Sequence, residues 1–170
     1  MSLDLGFLCS YCGKEHDGLP FSYGAVAPAY WNEGLEGGAG SVLGDEQCVI
    51  GGEHFFIRAR LILPIVDSES EFEWGVWVSL SESSFARATE LWTSPERVQE
   101  PPHFSWLSTE LPTYEPTTLN LKTKVHSQPV GVRPMVELEP TDHPLAVEQR
   151  TGITLTRVQA IAELLLHPQQ

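Results

Sequence analysis

Apolar residues alternate with polar ones most clearly in the middle of the chain. From His54 to Val66, Phe55, Ile57, Ala59, Leu61 and Leu63 share one face, while Phe56, Arg58, Arg60 and Ile62 share the other. From Phe72 to Leu80 the side chains of Phe72, Trp74, Val76, Val78 and Leu80 again fall on one side. A period of two is the signature of a strand with one buried face. The polar link Asp67-Ser68-Glu69-Ser70 between the runs predicts an antiparallel hairpin. Ser81 and the acidic residue after it then supply a helix start, and Phe85, Ala88, Leu91 and Trp92 recur at helical spacing until Pro95 ends the pattern.

Beyond the Pro101-Pro102 connection and the segment His103-Phe104-Ser105-Trp106-Leu107, two further strands are expected, Thr118 to Val125 and Val132 to Leu138. Thr141 or Asp142 can cap a short helix carrying Pro144 in its first turn, and Gly152 interrupts it. A second helix is expected from about Thr154 to Leu166, with Leu155, Val158, Ala162 and Leu165 on one face. Strands do not alternate regularly with helices. The expected class is therefore α+β, with a largely antiparallel sheet, one central helix, C-terminal helices and an N-terminal zinc-knuckle-like segment. The expected organisation is one domain over residues 1–170: 7–50 hold the knuckle and a Gly-rich loop, 51–140 the sheet with its helix, and 141–167 the C-terminal helices. Asn32 to Gly44, rich in Gly, reads as a mobile loop.

Charge narrows the choice of partner. The chain carries 23 acidic and 10 basic residues, a formal charge of −13, and no Lys/Arg cluster of the kind that grips phosphate backbones. Nucleic acid and anionic membranes are poor partners, whereas a basic protein is a reasonable one. No apolar run approaches the roughly 20 residues of a membrane span, and the N-terminus lacks the features of a signal peptide. A cytoplasmic location is expected.

The chemistry centres on Cys9-Ser10-Tyr11-Cys12-Gly13. Two thiolates separated by two residues can hold one tetrahedral ion from a tight turn, and the following Gly lets the chain leave it with positive φ. Zinc is the expected ion. Cys48, the only other cysteine, is the expected third ligand, and His16 the fourth, with His54 as its alternative. Competing readings are unliganded cysteines, with Cys48 buried as a small hydrophobe, and a redox pair, which would need a helix start after Cys12.

Other candidates read as structural. Arg58 and Arg60 share a strand face and can pair with Glu71 or Glu73 across the hairpin. Asp142-His143 reads as a helix cap rather than an acid–base pair. His103 and His126 have no Ser or Cys nucleophile beside them. The five Trp read as packing, and Gly37-Gly38-Ala39-Gly40 lacks the flanking strand and helix of a phosphate loop.

The opening Phe7-Leu8-Cys9-Ser10-Tyr11-Cys12-Gly13-Lys14-Glu15-His16, with Leu19-Pro20 after it, resembles that of a family of uncharacterised bacterial proteins, domain of unknown function 2199. The resemblance continues through Cys48-Val49-Ile50, His54 to Arg58, Trp74 to Leu80, Leu119 to Lys122 and Glu139 to Leu145, and so covers about Phe7 to Leu164. It implies bacterial origin, one domain along the chain, and motif status for Cys9, Cys12, His16 and Cys48. It brings no activity. The Gly-rich stretch Gly34 to Gly44 departs from the more charged loop such a protein would carry there. The functional expectation is a zinc-stabilised, non-enzymatic binding or interaction module. A metal-dependent enzyme with an open zinc position, or an acidic inhibitor of a basic enzyme, are the alternatives.

Overall fold

The computed structural model describes residues 6–167. In chain order the strands are β1 (Phe7–Leu8), β2 (Glu15–His16), β3 (Ser22–Gly24), β4 (Val42–Leu43), β5 (Gln47–Ile50), β6 (His54–Pro64), β7 (Glu71–Leu80), β8 (His103–Leu107), β9 (Lys122–His126) and β10 (Met135–Leu138). Helix α1 (Glu82–Glu90) follows β7, and α2 (Pro144–Thr151) and α3 (Leu155–Leu166) close the chain.

The long hairpin expected from the alternation is β6–β7, paired antiparallel from Phe55↔Leu80 to Pro64↔Glu71. Its outer edges are shared. β7 pairs with β8 near its end and with β3, in parallel, nearer its start. β6 pairs with β5 at its start and with β10, in parallel, through Arg60↔Met135. Since β8–β9 and β9–β10 are antiparallel neighbours, the five strands β6 to β10 form a closed ring. This departs from a simple antiparallel sheet. An up-and-down run of five strands leaves the first and last pointing the same way, so the pairing that closes the barrel has to be parallel.

The inner faces of the barrel make the main core, with Leu61, Leu63, Phe72, Val76, Val78 and Leu107 buried. The Trp74 indole N–H is satisfied inside it by the Tyr114 hydroxyl at 3.0 Å. At the end where β6 runs out, α2 and α3 pack on the core through Leu145, Ile153, Val158 and Ile161, and Ile153 bonds to both Pro64 and Val66. At the other end α1 begins from Ser81, whose hydroxyl accepts the Ser84 N–H at 3.1 Å. The outer face of the hairpin carries a second cluster, Cys48, Phe56 and Trp77, covered by Ala25, Trp31, Leu43 and Ile50.

Several boundaries move for identifiable reasons. β9 starts at Lys122 rather than Thr118, because Asn120 turns the chain at φ 65° and the buried Thr118 hydroxyl accepts the Leu111 N–H. β10 starts at Met135 rather than Val132, because the Arg97 guanidinium holds the carbonyls of Gln128, Pro129 and Val132 in a loop. α2 is capped by His143 and not by Thr141 or Asp142: its Nδ1 accepts the Leu145 N–H, while Nε2 donates to the Pro116 carbonyl at 2.8 Å. Within Asn32 to Gly44 the chain forms a 3-10 turn, Glu33–Leu35, and strand β4. Among the described residues no helix is long and apolar enough to cross a membrane.

Candidate metal centre

β1 and β2 form a two-stranded ribbon with Phe7 opposite His16 and Leu8 opposite Glu15. Its tip is the segment Cys9 to Gly13. The Cys9 N–H donates to the Lys14 carbonyl and the Gly13 N–H to the Cys9 carbonyl, each at 2.9 Å. Gly13 has φ 71°, the left-handed backbone that a side chain disfavours. This folding brings Cys12 Sγ to 3.4 Å from His16 Nε2. Cys9 is buried beside Phe7 and Ala162 of α3.

α3 grips the ribbon through three polar side chains spaced four apart, which therefore share one stripe of the helix. Gln159 donates to the Leu8 carbonyl at 3.1 Å. Glu163 accepts the Ser10 N–H at 2.8 Å with one oxygen and the Ser10 hydroxyl at 2.7 Å with the other. Hydrogen bonds from Gln159, and from the backbone and side chain of Ser10, hold the Glu163 carboxyl below the usual carboxylate range. His167, the residue that ends the helix, places Nε2 at 3.3 Å from Cys9 Sγ.

The outcome is one group of four donors. Ligand atoms of Cys9, Cys12, His16 and His167 all lie within 4.8 Å of one another. A tetrahedral ion with bonds of about 2.3 Å to sulfur and about 2.05 Å to nitrogen would separate S and N by about 3.6 Å. The two S···N separations of 3.3 and 3.4 Å fall close to that edge length. In composition and spacing the group can hold a metal ion.

Three of the expected ligands, Cys9, Cys12 and His16, are thus together, and two expectations are corrected. Cys48 lies in β5, opposite Phe56, in the apolar cluster on the outer face of the hairpin. Burial pushes its thiol up to about 11, and it lies outside the group of four donors. His54 begins β6, paired with Ile50 and exposed, outside the group. Sequence reasoning missed His167. The signal available was the stripe Gln159, Glu163, His167 on a helix otherwise read for its apolar face.

Arg60 pairs with Glu73 at 3.4 Å, and Arg58 lies over the Trp77 ring at 5.9 Å. His126 pairs with Glu137 at 3.1 Å on the exposed side of β9.

A family model described as "Uncharacterized protein conserved in bacteria (DUF2199)" matches residues 8–153, a stretch that holds the whole barrel and the ribbon except Phe7. No curated protein and no solved structure matches the chain.

Proposed function

The chain belongs to this family of uncharacterised bacterial proteins, and we propose that it is a non-enzymatic binding module whose N-terminal ribbon is a zinc-knuckle-like clasp. In this reading Cys9, Cys12, His16 and His167 bind one zinc ion and tie the ribbon to the end of α3. The observation that carries it is the meeting of four soft or borderline donors, from segments 151 residues apart (His16 to His167), within 4.8 Å. Two thiolates and two imidazoles are a standard structural zinc set. Four protein donors fill a tetrahedral shell, which favours a structural over a catalytic ion, because catalysis needs a position left for water.

The test is metal analysis of protein purified without added zinc. About one equivalent of zinc is expected in the native chain, and below about one-third in Cys9→Ala and His167→Ala. Cobalt substitution adds the coordination number: an intense tetrahedral visible spectrum is expected. Native protein free of metal would sink the zinc reading. A five-coordinate cobalt spectrum that responds to added anions would instead favour an enzyme with an open position.

A further inference from the structure

The barrel has a second feature, which shares no residue with the Cys/His group. Its inward-facing side chains at the α1 end, Ile57, Leu80, His103 and Val125, form the floor of a cleft of about 570 Å³. Leu91 and Trp92, which follow α1, and the loop from Ser127 to Pro134 wall it. Clefts of ligand-binding size, roughly 300–1,000 Å³, often occupy barrel mouths, with apolar walls and a few polar atoms.

Those polar atoms have a pattern. Arg97 spends its donors on the carbonyls of Trp92, Gln128, Pro129 and Val132, at 2.6 to 2.9 Å, so it fixes the wall. Among the described residues no carboxylate lies within ion-pair distance of it, so its charge is uncompensated. Arg133 is neutralised by Glu46 in a bidentate pair. Arg60 uses Nη1 on Glu73, while its Nε is buried without a hydrogen-bond partner among the described residues. His103 Nε2 is likewise buried and unpartnered, 3.5 Å from Glu100. Both unpartnered atoms belong to side chains that line the cleft.

We propose that the barrel mouth binds a small apolar monocarboxylic acid, its tail over Ile57, Leu80 and Val125 and its carboxylate against Arg60. A cleft whose lining carries three arginines against two carboxylates, over an apolar floor, suits one negative charge on an apolar body. Phosphate esters fit less well, because Glu46 and Glu100 in the lining oppose a second negative charge. The inference does not depend on the metal reading, since metal content and acid binding are measured separately on the same protein.

Octanoate and its neutral counterpart 1-octanol are the probes, titrated calorimetrically into the full chain. Octanoate is expected to bind with Kd below about 1 mM and octanol at least about tenfold more weakly. Arg60→Gln should reduce octanoate to the octanol level without changing octanol. Ala88→Trp, which fills the cleft from α1, should abolish both. Backbone amide shifts in the native protein should concentrate at residues 88–92 and 125–134. These shifts decide the matter should Arg60→Gln fail to fold. Equal affinity for acid and alcohol, no saturable binding up to about 10 mM, or shifts centred elsewhere would overturn the proposal.

Discussion

Cys48 shows how one residue type splits by environment. Cys9 and Cys48 are both buried, yet Cys9 faces an imidazole at 3.3 Å while Cys48 faces Phe56 and Trp77. Nothing near Cys48 stabilises a thiolate, and burial raises its pKa from 9.0 to about 11. A group whose folded pKa is raised helps stability while it is protonated in both states. That help is lost as pH rises from 9.0, where the unfolded chain ionises, to about 11. Cys48→Ala should therefore cost about 1 kcal/mol at pH 7 through lost packing. It should also flatten the fall in stability between pH 9 and 11 relative to the native chain, and leave the metal content unchanged. Urea melts across that range, with metal analysis of the same samples, check all three. A drop in metal content would return Cys48 to the ligand set. The meeting of Cys12 and His16 was legible because one ribbon turn decides it. Cys48 was misplaced because counting cysteines carries no information about which apolar surface covers each.

Elements meet here through polar stripes as much as apolar ones. The apolar face of α3 is legible in the sequence, and Val158 and Ala162 are buried as that pattern requires. Glu163 is buried beside them, because its two oxygens replace water for both donors of Ser10. Glu163→Ala should leave the Ser10 N–H and hydroxyl unpaired at a cost of about 1–3 kcal/mol. Hydrogen exchange should speed up in β1, β2 and the turn between them, with the barrel strands unaffected. Uniform loss of protection would show instead that the ribbon and the barrel unfold as one unit. The α2–α3 corner is a different kind of constraint. Gly152 sits at φ 84°, and a Cβ there would lie 2.8 Å from Val66 Cγ1 and 3.0 Å from the Pro64 carbonyl oxygen. Gly152→Ala combines backbone strain with a clash against the end of β6, and should destabilise by about 1–3 kcal/mol in a thermal melt. The sequence marks this Gly as a helix interruption, and the contact with β6 adds why nothing larger fits.

At the scale of the molecule, three apolar clusters among the described residues divide the labour. The barrel interior is by far the largest, the hairpin's outer face holds Cys48, Phe56 and Trp77, and the smallest joins Phe7 and Cys9 to Ala162. The hairpin at the centre of the first two was legible, since period-two alternation is a local property. Barrel closure was not: it rests on the parallel register Arg60↔Met135, between strands separated by three others in the chain. No local pattern encodes that pairing. Of the Cys/His group, Cys9 belongs to the smallest cluster, so metal and barrel should respond separately. Chelation is expected to release the ribbon and the last turn of α3, exposing Cys9 and Cys12 to thiol reagents. The far-ultraviolet spectrum and the emission of the buried Trp74 and Trp77 should barely change. The physical reason is size: a chain of this length buries enough apolar surface to fold without a metal, unlike a free-standing zinc finger. Restoring zinc should re-protect both thiols. Collapse of the tryptophan signal on chelation would mean that the clasp holds the barrel itself together, through α3 and the Ile153 bonds to the end of β6.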